Sequence, residues 1–131
     1  MLPLLGPGDR IFVDESGNTR LNLHDGDVIV LRHKGTVIVK RILAMQGETI
    51  SGDRGKVFRD GKQLDEPYVA RVNGQEIGGP MTFPPRRMGT GEVFVMGDNR
   101  GFSLDSRFVE YGTVYSSDVI GKYAWTYWHA K

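Results

Sequence analysis

Residues 36–43 read TVIVKRIL. The run is apolar and β-branched, the composition of a β-strand, but Lys40 and Arg41 interrupt it side by side. Strand alternation separates the two cations. Thr36, Ile38, Lys40 and Ile42 share one face, while Val37, Val39, Arg41 and Leu43 share the other. Lys40 therefore has an isoleucine on either side of it on its own face. If that face is buried, desolvation disfavours the ammonium and makes the amine a candidate general base. If it is not, Lys40 is an edge lysine of the kind that discourages sheet aggregation. This strand alone leaves both readings open.

Outward from it, short β-like runs recur between turns, and helical periodicity is weak. Strands are expected at Arg10–Asp14, Val28–Arg32, Thr36–Leu43, Lys56–Arg59, Val93–Met96 and Val119–Tyr127. Asp60-Gly61 within FRDGKQL signals a hairpin, and SGDRGK and DESGN signal turns. The expected class is mainly β, with twisted antiparallel sheets or a partly open barrel as core. Residues 51–91 differ from their flanks. They hold four of the six prolines (Pro67, Pro80, Pro84 and Pro85) and are rich in Gly and Arg. They are read as a small, partly irregular insertion between two halves of a core, residues 1–50 and 92–131.

Composition narrows the function. The chain has 131 residues, 39% hydrophobic and 25% charged, as in an ordinary globular domain. A net charge of +1 gives no pull towards nucleic acid, and the absence of cysteine removes disulfide and thiolate chemistry. No apolar run is long enough to span a bilayer. The leading MLPLLGPGD is too short for a signal peptide and lacks its basic start.

A second polar concentration lies at VMGDNRGFSLDSR, residues 95–107, after the β-like EVFVM. Asp98 and Asp105 are candidates to pair with Arg41, Arg100 or Arg107, since a guanidinium offers a planar fork to a carboxylate. By composition it is either a self-supporting polar loop or the wall of a site.

Together these stretches resemble one family. GDRIFVDE, GDVIVL, VIVKRILAMQGETI, VMGDNRGFSLDSR and VIGKYAWTYW stand in the order and spacing of type I signal peptidases, and VFRDGKQLDEPYV is similar to a further segment of theirs. The resemblance implies a membrane-anchored serine endopeptidase that removes signal peptides from exported preproteins. In such enzymes a strand lysine serves a serine nucleophile as general base. Lys40 matches that lysine, and Ser103 matches a serine that orients its amine. Arg41, Asp98, Asn99, Arg100, Asp105 and Arg107 match supporting positions. No cofactor is called for. His24, His33 and His129 show no metal-ligand spacing and are read as solvated surface.

In the family the nucleophile lies in a Ser-Met-x-Pro box. Met1, Pro3, Leu5, Gly8 and Asp9 fall into its register, with Leu4 in place of the usual threonine. The nucleophile is then the residue immediately before Met1, outside this sequence, as is the membrane anchor. The chain as written is expected not to cut peptides. Met1, Leu5, Ile11, Ile38 and Val39 match residues lining the shallow apolar pockets for small side chains, with ordinary core as the competing reading for Ile11 and Val39. The implied location is the outer face of a bacterial inner membrane. The closing YAWTYWHAK is either a core strand or an aromatic surface at the lipid interface, with Trp125 read as core and Trp128 left open. Two departures stand out: Met45-Gln46-Gly47-Glu48 replaces a usual Leu-Pro-Gly-Asp, and FVEYG, residues 108–112, reads as a small insertion. Two other functions compete. One is a catalytically silent binding or assembly module on the same fold. The other is a self-cleaving repressor-type Ser–Lys peptidase, a group that lacks the Gly-Asp-Asn-Arg box.

Overall fold

A computed structural model describes residues 1–17, 22–73, 75–76 and 81–131, with the backbone alone at 72, 75 and 76. Asn18 of the DESGN turn and Pro80 lie outside the described residues. The chain is mainly β, as its composition suggests. The strands are β1 (Arg10–Asp14), β2 (Val28–His33), β3 (Thr36–Met45), β4 (Thr49–Asp53), β5 (Lys56–Arg59) and β6 (Lys62–Gln63). They continue with β7 (Arg71–Val72), β8 (Gln75–Glu76), β9 (Phe83–Arg87), β10 (Glu92–Met96), β11 (Val114–Tyr115) and β12 (Val119–Trp128).

Six of these form one antiparallel sheet in the order β1-β12-β2-β3-β10-β11, and four form a second in the order β6-β5-β4-β9. Neither closes into a barrel. The TVIVKRIL strand lies well inside the larger sheet because it pairs on both edges, with β2 along its length and with β10 from Arg41 onward. Its turns are written locally. Lys34-Gly35, Arg54-Gly55 and Asp60-Gly61 all take positive φ at both positions, the type I′ geometry whose twist suits a two-residue hairpin. Only the last of these was expected as a hairpin turn. At Gly121, an added Cβ would stand 2.4 Å from the Asp14 carbonyl oxygen, so a residue without a side chain lets β12 cross β1 closely.

Two apolar clusters hold the sheets. Ile29, Leu31, Ile42, Val93, Val95, Tyr111, Val114 and Val119 pack within the larger sheet and its loops. Leu43, Ala44, Phe94 and Met96 of the larger sheet meet Ile50, Val57, Phe83 and Met88 in a second cluster that welds the two sheets together. Adjacent residues of β3 thus serve different clusters, Ile42 the first and Leu43 the second, as alternation requires.

Residues 51–91 carry the expected strand at Lys56–Arg59, and β4 and then β9 add to it on one side. One reading changes. Trp125 is not core. It is 56% exposed, beside Tyr127 and Trp128 at 55% each, because β12 extends beyond the packed part of the sheet.

Candidate active site

Lys40 leaves β3 where the sheet changes partners. Its backbone pairs with Ile29 of β2, while β10 stops at the Met96–Arg41 pair. Beyond that pair the chain turns away at Gly97, and the Lys40 side chain enters the space so opened. Its Nζ donates to Ser103 Oγ at 2.7 Å. Ser103 Oγ in turn donates to Asp105 Oδ2 at 2.7 Å and accepts the Gly97 N–H at 3.1 Å. The serine has no freedom left, so it fixes the amine in one place. Gly97 must be glycine for this to happen, since a Cβ there would stand 2.3 Å from Ser103 Oγ. Burial holds the Lys40 pKa below the usual lysine value; the Asp105 carboxylate opposes that shift and the Arg107 guanidinium adds to it.

Behind this pair lie ion pairs closed off from water. Arg41, on the opposite face of β3, forks onto Asp98 with Nε–Oδ1 at 2.9 Å and Nη2–Oδ2 at 2.8 Å. Its remaining nitrogen donates to the Gly26 carbonyl at 2.9 Å, and its guanidinium stacks on the Tyr68 ring at 3.9 Å. Arg107 forks onto Asp105, Nε–Oδ1 at 2.8 Å and Nη2–Oδ2 at 3.0 Å, with side chains 3% and 0% exposed. Arg100 is buried against Glu66. Removing one partner of such a pair typically costs ~3–5 kcal/mol, because the other charge is left uncompensated. These arginines and aspartates therefore hold the loop's shape.

In front of the pair is a cleft of about 470 Å³. Met1, Leu5, Ile11, Ile38, Val39, Lys40, Asn99 and Ser103, all singled out in the sequence, line it. Ile11 and Val39 are half-buried at its wall and not in the core clusters. Arg41, Asp98, Arg100, Asp105 and Arg107 do not reach it. The N-terminal end of the chain sits there too. The Met1 amine has its pKa lowered by burial, against a raising effect of Asp98 and with a further lowering from Lys40. Met1 Sδ accepts the Asp98 N–H at 3.5 Å. The edge of β3 over residues 36–40 that β10 leaves free has no strand partner among the described residues.

The sequence reading missed other residues at this site. Leu2, Gly6, Pro7 and Phe102 also line the cleft, as do Asp9 and Gly97, which the motifs named without a site role. Phe102, 78% exposed, carries no signal beyond its place beside Ser103. Glu66 and Tyr68, behind the loop, lie in the VFRDGKQLDEPYV segment that resembles the family, but nothing in the sequence tied them to the site. Of the other serines, Ser106 is buried and accepts the Val95 N–H at 3.0 Å, which makes it a brace. His33 is not solvated surface: its ring lies 4.3 Å from that of Tyr111 and it is half-buried. His24 and His129 are exposed.

The profile of the family described as "Signal peptidase, peptidase S26" matches residues 1–128. Signal peptidase I of Bacillus amyloliquefaciens is 34% identical over 113 residues, covering 82% of this chain and 58% of that protein. Signal peptidase I U of Bacillus subtilis is 34% identical over 126 residues, covering 92% of this chain and 67% of that protein. The chain thus spans about three fifths to two thirds of the length of these relatives. A crystal structure of a signal peptidase I from Enterococcus faecalis superposes with a TM-score of 0.64 at 25% identity, covering 77% of this chain and 96% of that one.

Proposed function

Because the chain belongs to the signal peptidase family, peptidase S26, we propose that it is the catalytic β domain of a serine endopeptidase that cuts signal peptides from exported preproteins through a Ser–Lys pair. The observation that carries this reading is the 2.7 Å bond from Lys40 Nζ to a serine whose other contacts are fixed, at the wall of an open cleft. A neutral lysine held in this way can take a proton from a hydroxyl.

The nucleophile in this reading is a serine joined directly to the Met1 nitrogen. Met1 lines the cleft together with Lys40, so a residue bonded to its nitrogen would stand beside the base. Its Oγ would add to the scissile carbonyl carbon while its proton passes to Lys40 Nζ. Lys40 then gives that proton to the amine as the scissile C–N bond breaks, and the acyl-enzyme is hydrolysed by a water that Lys40 Nζ deprotonates. Ser103 orients the base and does not attack. The substrate lies extended against the free edge of β3, where backbone N–H and C=O groups await partners, with small side chains set against Ile38, Leu5 and Ile11.

The membrane relation belongs to the same proposal. The exposed rings of Phe12, Trp125 and Tyr127, 4.7 and 4.9 Å apart, would rest at the lipid interface on the outer face of a bacterial membrane.

The test is a pair of chains extended before Met1 by serine or by alanine, each incubated with a signal-peptide substrate in detergent. The serine form is expected to cut after the small residue, and Lys40→Met in that form to lower turnover by roughly 10³-fold or more. Equal activity of the serine and alanine forms would remove the proposed nucleophile. A silent serine form would favour a binding module.

A further inference from the structure

Residues 66–71 are tied to the loop that carries Ser103, although they come from the far side of the second sheet. The Ala70 N–H donates to the Asp98 carbonyl at 3.0 Å, and Arg71 Nη1 donates to the Glu66 carbonyl at 2.8 Å. The Glu66 carboxylate faces the Arg100 guanidinium, with side chains 4% and 2% exposed. Tyr68 donates its hydroxyl to Glu66 Oε2 at 3.0 Å and lays its ring on Arg41. Arg100 Nε donates to the Gly97 carbonyl at 2.9 Å, and the N–H of that same Gly97 holds both Ser103 and Asp105 at 3.1 Å. One short segment therefore grips both arms of the site, Glu66 through Arg100 and Tyr68 through Arg41.

We propose that Glu66, with Tyr68 as its support, is a positioning residue for the Lys40–Ser103 pair, acting through Arg100 on the Gly97 peptide. This rests on the protease reading of that pair. A surface glutamate would contribute little to holding Arg100, but here both charges are removed from water, so the pair holds one geometry or leaves a bare charge inside the protein. The Gly97 carbonyl and N–H belong to successive peptide planes hinged at a Cα without a side chain, so the bond from Arg100 to the carbonyl limits that hinge and with it the direction of the N–H. With Glu66 gone, Arg100 turns away, the hinge at Gly97 is freer to turn, and Ser103 loses one of its three restraints. Lys40 then gains contact with water. The direct field at Lys40 comes from Asp105 and Arg107, and Glu66 and Arg100 are not among its causes. A double variant that also removes the Arg100 charge separates a change of geometry from the field of a bare guanidinium.

The experiment follows Lys40 itself, by the NMR titration of its 13Cε, so that it does not depend on cleavage. In Glu66→Gln the Lys40 midpoint is expected to move up towards the ordinary lysine value, in the same direction as in Ser103→Ala. Tyr68→Phe, which deletes one hydroxyl and keeps the ring on Arg41, is expected to move it the same way by less, and serves if Glu66→Gln does not fold. Glu66→Gln combined with Arg100→Met relieves the bare charge but cannot restore the bond to the Gly97 carbonyl, so the midpoint should stay shifted. A midpoint unchanged in Glu66→Gln and Tyr68→Phe, with only melting temperature lowered, would overturn the proposal, as would full recovery in the double variant. If the serine-extended chain fails to cut while these midpoints shift, the protease reading falls and the positioning stands.

Discussion

As the proposed base, Lys40 must be uncharged to accept a proton, and the same burial that lowers its pKa weakens the fold. Its folded pKa lies below the unfolded value, so between the two the unfolded chain binds more protons, and stability rises with pH across that window. Below the folded value the full cost of burying the ammonium is present. Lys40→Met removes the titration. Its melting-temperature advantage over the unsubstituted chain should therefore be largest below the Lys40 pKa and shrink as pH approaches about 10.5, the lysine reference value. Cleavage by the serine-extended chain should rise with pH through the same pKa. Gly97→Ala belongs to the same scale. Its Cβ would meet Ser103 Oγ at 2.3 Å, and overpacking of this kind costs about 1–3 kcal/mol. Calorimetry should show that loss, together with an upward shift of the Lys40 titration; an unshifted titration would mean Ser103 need not be held so tightly. Lys40 and Ser103 were marked out by their resemblance to the family's motifs, since strand alternation alone left the lysine open, and the structure brings the two together. Glu66 fell within a segment similar to the family's, but its role was not legible, because its partner lies 34 positions away.

Among the elements, the strands that sequence reading missed each hide behind a rule. In β9, FPPRR, two prolines argue against a strand, but β9 is an edge of its sheet and its register slips opposite them, between Ile50 and Gly52, where missing N–H groups are tolerated. In β4, TISGD, Gly52 reads as a turn, whereas it makes room for the Phe83 ring, which a Cβ would meet at 2.2 Å. The end of β3 has its own electrostatic feature. Asp25 and Glu48 converge on Arg59, with Arg59 Nε 3.5 and 3.3 Å from their carboxylates. Burial raises the Asp25 pKa to about 6, and a hydrogen bond with Glu48 adds to it while Arg59 opposes it. A carboxyl with a raised folded pKa keeps its proton longer in the folded state. Its contribution is full below the unfolded value and is lost as pH rises through about 6. Asp25→Asn should therefore flatten the decline in melting temperature between about pH 4 and 6 and raise stability at neutral pH. An unaltered pH profile would show that Arg59 already neutralises the pair.

Across the whole molecule, the larger sheet leaves Phe12, Trp125 and Tyr127 exposed, and no helix among the described residues is long and apolar enough to cross a membrane. Trp125 was misread as core because strand alternation does not say which face is covered. Cosedimentation with phospholipid vesicles should weaken in the double variant Trp125→Ala and Tyr127→Ala while melting temperature changes little; undiminished binding would assign those rings another role. The ion pairs behind the loop join parts of the chain that translation produces far apart: Gly26, Arg41, Tyr68 and Asp98 meet around one guanidinium. Such non-local contacts form only after long loops have closed, which is slow. The Lys40–Ser103 geometry should accordingly appear in the last kinetic phase of refolding. A nascent or partly folded copy would thus carry Lys40 and Ser103 without yet holding the two together.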